Sequence, residues 1–167
     1  LTCGRSAFVL PLVETGDFPA MMEMPAAIGR LSGADFAAAV GQVAGSASSH
    51  DNLQHLTGVR MEFAKAGITL AATDRFRLAV RETSWTPSVS DPDNAVLIPA
   101  ARIADISKGL ADCEEITIFA PATGATNVVG FSGKSKTGAV RSIATNLLNA
   151  EFPARYRDLL PNETPIH

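Results

Sequence analysis

The sequence predicts an α+β domain with an internal duplication, two helices on one face and antiparallel strands on the other. Three observations lead there. A pattern of strand, helix and three strands runs over residues 28–82 and again over 95–148. Two segments carry apolar residues at helical spacing: Phe36, Val40 and Val43, then Ile103, Ile106 and Leu110. Neither half is large enough to bury its own helix and sheet well, so two copies joined at their edges and sharing one core is the expected solution.

The elements follow in order. Residues 7–10 are a short apolar run ended by Pro11 and read as a terminal strand. Residues 11–27 contain Pro11, Pro19 and Pro25 with Gly16 and Asp17. Proline disfavours helix at its own position and just before it, so this stretch reads as an extended linker. Met21, Met22 and Met24 are expected to fill gaps on a neighbouring surface. Residues 28–31 are a strand. Ser32 is a good N-cap, and Asp35 three residues on makes an approximate capping box for a helix over 33–45. Residues 45–55 are small and polar and read as a loop. Residues 56–63 alternate, with Val59, Met61 and Phe63 on one face, which predicts a half-buried strand. A turn at 64–67 leads to strands 68–72 and 77–82, and 83–94 is a loop rich in Pro, Ser and Asp.

The second unit starts with a strand at 95–98. Pro99 ends it and suits the first position of a helix over 100–111. Strands are expected at 115–120, 127–132 and 138–147, with turns at 121–124 and 133–137.

Composition narrows the function classes. Hydrophobic residues make up 46% of the chain and aromatics only 6%, so the core must be mainly aliphatic. The net charge of −3 does not advertise a nucleic-acid binder; any such role needs local segregation of charge. Cys3 and Cys113 are far apart and resemble neither a disulfide framework nor a metal site. His50, His55 and His167 have no CxxC partner, so no metal and no cofactor is expected. No apolar run approaches the ~20 residues that cross a membrane, and no secretory signal is visible, so a cytoplasmic protein without a membrane partner is expected. The ends at Leu1 and His167 read as those of a piece cut from a longer chain.

Catalytic motifs are missing: there is no GxSxG, P-loop or HExxH. Asp91 with Asp93 sits among turn formers, Glu114 and Glu115 precede a strand, and Asp51 beside His50 has no placed nucleophile. Ser46, Ser48 and Ser49 lack an identifiable base. No catalytic residue is assigned and no enzyme is expected.

The most informative stretch is Ala71-Ala72-Thr73-Asp74-Arg75-Phe76-Arg77-Leu78-Ala79-Val80. Two arginines flank a phenylalanine at a bend between two apolar runs. One reading is an ordinary hairpin with Asp74 paired to an arginine across the turn. The other is a basic, aromatic-centred binding corner. Basic residues elsewhere are sparse: Arg30 precedes the first helix, Arg102 and Lys108 lie on the second, and the first helix carries none. Phosphate affinity scales with the number of phosphates neutralised, so a single copy is expected to bind DNA weakly. The stretch Glu151-Phe152-Pro153-Ala154-Arg155-Tyr156-Arg157-Asp158-Leu159-Leu160-Pro161 reads as a linker, similar in character to Gly16-Asp17-Phe18-Pro19.

These residues carry a resemblance. Leu56-Thr57-Gly58 followed by Leu70 through Glu82 resembles the middle domain of the bacterial β sliding clamp family, the processivity subunit of DNA polymerase III. The likeness runs from Cys3 to Pro161. Phe76, where many members have histidine, and Trp85 give it an actinobacterial character. The resemblance implies a DNA-clamp fold and these boundaries: 1–10 the end of a preceding clamp domain, 11–27 a linker, 28–150 the middle domain, 151–167 a linker and the start of the next. It implies a non-catalytic subunit of a ring-forming homodimer that encircles duplex DNA, helices inward. It also implies a groove for short peptides of DNA polymerase, clamp loader and repair proteins. Carried over by motif, the groove positions are Leu56, Thr73, Arg75, Phe76, Arg77, Leu78, Pro153 and Leu159, with Arg157 a candidate for an arginine expected just before Leu159. That arginine is otherwise lost to Asp158, because the linker is about one residue longer than usual. Arg30, His50, Arg102 and Lys108 are the DNA-facing candidates, although His50 and Leu53 stand where polar or basic residues often face the duplex. The alternative is a clamp-like paralogue that binds clamp partners or an inhibitor without encircling DNA.

Overall fold

The computed structural model describes residues 2–7, 9, 11, 14–17, 22–121 and 126–160. A small hairpin, β1 (Thr2–Cys3) and β2 (Ser6–Ala7), comes first, its strands paired among the described residues only with each other. Of the strand expected at 7–10, only Ala7 and Val9 are described, and Val9 lies in no strand. Ala7 closes this hairpin and Val9 is 99% exposed, while Phe8 and Leu10 lie outside the described residues.

The first unit is β3 (Ala27–Leu31), α1 (Gly33–Val43), β4 (Gly58–Ala64), β5 (Gly67–Thr73) and β6 (Leu78–Thr83). A two-residue strand, β7 (Thr86–Pro87), follows. The second unit is β8 (Asn94–Pro99), α2 (Ala100–Leu110), β9 (Cys113–Phe119), β10 (Val128–Ser135) and β11 (Val140–Asn146). The four-stranded sheet has the order β6-β5-β4-β8 and the five-stranded sheet β11-β10-β9-β3-β7, with every pairing antiparallel. The first strand of each unit thus lies in the other unit's sheet: β3 pairs with β9, and β8 with β4. The halves are interlocked, which is a stronger coupling than the edge-to-edge joining expected from sequence.

The two helices lie side by side, and each packs on strands of both sheets. The core sits between helices and sheets. Phe36, Val40 and Val43 of α1 and Ile103, Ile106 and Leu110 of α2 meet the inward faces of the strands, including Met61, Phe63, Leu70, Ile98, Ile116 and Phe131. Phe36 and Phe131 stack with ring centroids 5.2 Å apart.

Local chemistry sets the boundaries. Ser32 caps α1: its Oγ accepts from the Asp35 N–H at 3.3 Å. Pro99 is one position earlier than expected. It is the last residue of β8 and the N-cap of α2, where its missing N–H costs the ladder nothing that Thr57 and Ala100 do not restore: Ala100 N–H donates to the Thr57 carbonyl at 3.0 Å. The C-terminal end of α2 receives Arg141 from β11, whose Nη1 donates to the Gly109 carbonyl and to Asp112 Oδ1, both at 2.6 Å. A cation there complements the helix dipole.

Three connections differ from expectation. The 45–55 loop contains 3-10 turns at Ala44–Ser46 and Asp51–Leu56, the latter kinked at Leu53. Polar, small residues suppress the apolar periodicity that would reveal such turns. The 83–94 loop contains β7, too short to show a period. β10 runs to Ser135, into the turn expected at 133–137, so the reversal falls at 136–139 with Gly138 at φ +89°. The expected turn at 121–124 lies, except for Pro121, outside the described residues.

Candidate partner-binding surface

The Thr73–Leu78 turn is built by two side chains of its own sequence. The Thr73 hydroxyl donates to the Arg77 carbonyl at 2.6 Å and accepts from the Arg75 N–H at 3.1 Å. Asp74 Oδ1 accepts from the backbone N–H groups of Phe76 (3.0 Å) and Arg77 (2.9 Å), and Oδ2 pairs with Arg77 Nε at 2.9 Å. A carboxylate that bonds backbone two and three residues on is a familiar way to fix a tight turn. The Arg77 N–H, then the Phe76 N–H and the Arg77 guanidinium, hold the Asp74 carboxyl below its ordinary pKa against slight desolvation. Arg75 takes the left-handed conformation, φ 81°. The hairpin reading of this corner, with Asp74 paired to an arginine across the turn, is realised. The ion pair across the turn exists, and the turn it makes projects Phe76, 91% exposed.

The turn closes one end of a covered sheet face. On the four-stranded sheet, the side away from the helices carries Ala71, Leu97, Leu78 and Val80. The segment after β11 folds back across it, placing Leu148, Ala150, Phe152 and Tyr156 on these residues. Phe152 and Tyr156 are buried and meet edge to face, 5.5 Å between centroids. The stretch that reads as a linker is thus a strap, with Leu148 N–H donating to the Leu97 carbonyl at 2.8 Å.

A polar cluster fixes the end of the strap. Glu62, on the same sheet face, accepts from Arg60 Nε through Oε1 (2.6 Å) and from Arg157 Nη2 through Oε2 (2.5 Å). Arg157 also lies over the Tyr156 ring, 5.4 Å from its centroid. Burial works to raise the Glu62 pKa, but the bonds from Arg157 and Arg60 outweigh it and the carboxyl lies below its usual range. The Tyr156 hydroxyl is buried and has no hydrogen bond of good geometry among the described residues. Its own burial, followed by the nearby Glu62 charge, pushes its pKa up to about 12. Asp158 instead pairs with Arg155 Nε at 2.8 Å on the outside of the 3-10 turn Tyr156–Leu159.

The structure brings together part of the expected set. Phe76, Arg75 and Arg77 are exposed on the turn, Leu78 is half-buried beside the strap, and Pro153, Arg157 and Leu159 are exposed on the strap, Leu159 at 75%. Thr73 is at the edge of burial and acts through the turn's hydrogen bonds. Leu56 is 1% exposed at the end of a 3-10 turn and offers a ligand no surface.

The DNA-facing candidates divide as well. Arg102 and Lys108 are exposed on α2 with Asp105 between them, and neither is in an ion pair among the described residues. His50 is exposed on the α1–β4 connection. Arg30 does not join them. Gly29 and Leu31 on either side of it are buried, so strand alternation turns Arg30 to the sheet face opposite the helices. There it pairs with Glu115 at 3.1 Å and lines a cavity of about 1180 Å3 with Thr117, Ser132 and Lys134. Placing it before the first helix in sequence did not reveal the side on which it emerges.

Sequence reasoning missed Glu62, Phe152 and Tyr156. The alternation through Val59, Met61 and Phe63 already put Glu62 on the outward face, which was the available signal. Phe152 and Tyr156 stand four apart among prolines and charges, too few apolar residues to declare a buried face.

Comparisons with known proteins agree with this architecture. Residues 30–154 match the family described as DNA polymerase III beta subunit, central domain. The beta sliding clamp of Streptomyces coelicolor is 38% identical over 164 residues, covering 98% of this chain and 42% of that protein. That of Micrococcus luteus is 38% identical over 167 residues, covering 99% of this chain and 51% of that protein. A beta sliding clamp homolog, GriR, of Streptomyces muensis is 33% identical over 161 residues, covering 96% and 41%. The chain thus spans about half or less of the length of these relatives. Among solved structures, the DNA polymerase III subunit beta of Pseudomonas aeruginosa superposes with a TM-score of 0.78 at 22% identity, covering 96% of this chain and 41% of the other. The Bacillus subtilis sliding clamp gives 0.74 at 21%, covering 90% and 37%. Those identities speak to the fold, and the match across residues 30–154 speaks to descent: the chain belongs to the DNA polymerase III beta subunit family, the bacterial sliding clamps, through the central domain of that family.

Proposed function

We propose that this chain is the middle part of a sliding clamp that encircles duplex DNA and tethers DNA polymerase, clamp loader and repair proteins through a peptide groove. Residues 1–10 would then end a preceding domain, 11–27 link it, 28–150 form the middle domain and 151–167 lead into the next. The parent would be a ring-forming homodimer without a catalytic centre. The observation that carries the reading is the division of the surface. Both helices lie on one face with Arg102 and Lys108 exposed, and the Phe76 turn, whose Leu78 packs with the strap, stands on the opposite face of a sheet. The two outermost long strands, β6 and β11, end their sheets at equivalent positions of the duplicated pattern. Such edges suit neighbouring domains of the same kind.

The groove reading assigns apolar contact to Phe76, Leu78, Pro153 and Leu159, with Arg75, Arg77 and Arg157 at the rim. Exposed aromatics beside half-buried aliphatics are the residue types that anchor short peptides. The test uses the full-length parent and a fluorescein-labelled peptide from the clamp-binding segment of a polymerase. Phe76→Ala should weaken binding by about tenfold or more. Unchanged affinity would refute the groove.

A second reading is a clamp-like paralogue that binds clamp partners or an inhibitor without encircling DNA. Its support is the 33% identity to the homolog GriR and an α1 that carries no Lys or Arg. Retention separates the two. A ring stays on closed circular duplex and is lost on linearisation, whereas the paralogue binds the peptide and shows no such topological dependence.

A further inference from the structure

We propose that Glu62 is a positioning residue for the peptide groove: through Arg157 it locks the strap's last turn, and with it Leu159, against the sheet that carries Phe76. The inference rests on the groove reading above. The turn Tyr156–Leu159 is a single 3-10 turn, too short to hold its own conformation. It needs anchors, and the structure supplies two. Tyr156 is buried on Ala71 and Leu97, which fixes the turn's depth. Arg157 reaches Glu62, ninety-five residues away in sequence, which fixes its rotation. Leu159 follows two residues later and stays exposed.

Glu62 suits this role because both of its oxygens are committed. Arg60 holds Oε1 from the same strand, so Oε2 faces Arg157 in one orientation. A carboxylate held from one side presents a fixed acceptor to the other. Glu62 and the Phe76 turn are linked through one strand, β5, at positions four residues apart. Arg60 pairs across to Ala71 and Glu62 to Thr69 on β5, and β5 ends at Thr73, where the Phe76 turn begins. Glu62 itself is largely covered and is placed to act through Arg157, not by touching the peptide.

The experiment is a double-mutant cycle in the full-length parent, read by affinity for the labelled polymerase peptide. Glu62→Gln is isosteric, and Arg157→Gln changes an exposed side chain, so both should fold; circular dichroism checks this. Glu62→Gln should weaken binding by about fivefold, Arg157→Gln by at least as much because it also removes a rim cation, and the double variant by little more than Arg157→Gln alone, because the link is already broken. Losses that simply add would show that the two residues act separately and would overturn the proposal. If Phe76→Ala weakens binding but Glu62→Gln and Arg157→Gln do not, the positioning role alone fails. If Phe76→Ala also has no effect, the groove itself fails and this inference goes with it.

Discussion

The indole of Trp85 occupies the space where a side chain on Gly29 would stand. A Cβ at position 29 would lie 2.3 Å from Trp85 Cζ3 and 2.8 Å from the Thr86 carbonyl oxygen. Trp85 also leans on Phe63, 5.5 Å between ring centroids, and donates from Nε1 to the Ala64 carbonyl at 2.8 Å. Gly29 belongs to the five-stranded sheet and Phe63 to the four-stranded one, so this single side chain bridges the two.

Gly29→Ala should therefore destabilise the domain. The obstructing atoms include backbone, which cannot simply rotate away, and overpacking of this kind costs about 1–3 kcal/mol. The chain has one tryptophan, so its fluorescence reports this seam directly. The expected result is a lower thermal midpoint with a shifted emission maximum. A variant that melts and emits like the parent would show that Trp85 has another place to go.

The same seam shows what the sequence could and could not reveal. The helices and long strands were legible because burial on one side leaves a period: Phe36, Val40 and Val43, or Val59, Met61 and Phe63. Trp85 and β7 leave none, since two residues make no period. The exchange of β3 and β8 between the sheets was likewise invisible, because local pattern says which face of a strand is buried and not which strand lies beside it. At the site, Thr73–Leu78 was readable from its turn chemistry. The strap was not: Phe152 and Tyr156 are buried by a sheet face whose openness only the tertiary structure determines.

Position 75 should accept glycine. Arg75 sits at φ 81°, where a non-glycine residue carries a steric cost of about 1 kcal/mol. Arg75→Gly removes that cost, and the freer unfolded chain takes back a similar amount. The thermal midpoint should stay unchanged or rise slightly. A β-branched residue cannot adopt this conformation comfortably, so Arg75→Val should lose more than about 1 kcal/mol. Equal midpoints for the two variants would mean that the left-handed turn is not held in solution.

The turn should also loosen in acid. The Asp74 carboxyl has a pKa below its ordinary 3.8 in the folded state. Its bonds to the Phe76 and Arg77 N–H groups are thus fully present above that value and lost as pH falls through the lowered pKa. Amide chemical shifts of Phe76 and Arg77 should titrate together with a midpoint below 3.8. Asp74→Asn should abolish that titration. A midpoint at or above the ordinary value would contradict the hydrogen-bonded turn.

Tyr156 offers a second titration at the other extreme. It is the only tyrosine, so tyrosinate absorbance is unambiguous. Its pKa is pushed from 10.0 up to about 12, by burial first and by Glu62 second. An acid whose folded pKa is raised contributes stability that is fully present below 10.0 and is lost as pH rises towards 12. Ionisation should accordingly coincide with release of the strap. Glu62→Gln removes the nearby negative charge and should move the midpoint down, while Phe152→Ala, which opens the strap, should move it towards 10.0. A wild-type midpoint near 10.0 would place the ring in water.

The helix face makes a prediction for the full-length parent on duplex DNA. Each neutralised phosphate adds about one counterion to the slope of log affinity against log salt, and losing one cation lowers that slope by about 1. Arg102→Ala and Lys108→Ala should each show this reduction, with a loss of affinity that does not depend on base sequence. Arg30→Ala should leave the slope unchanged, because Arg30 emerges on the sheet face opposite the helices and is paired with Glu115. α1 contributes no cation, so Gln42→Lys on its exposed side should steepen the slope by about 1 if that helix also faces the duplex. Equal effects of Arg30→Ala and Arg102→Ala would mean that DNA does not lie against the helices, and the orientation of this domain in a ring would have to be reversed.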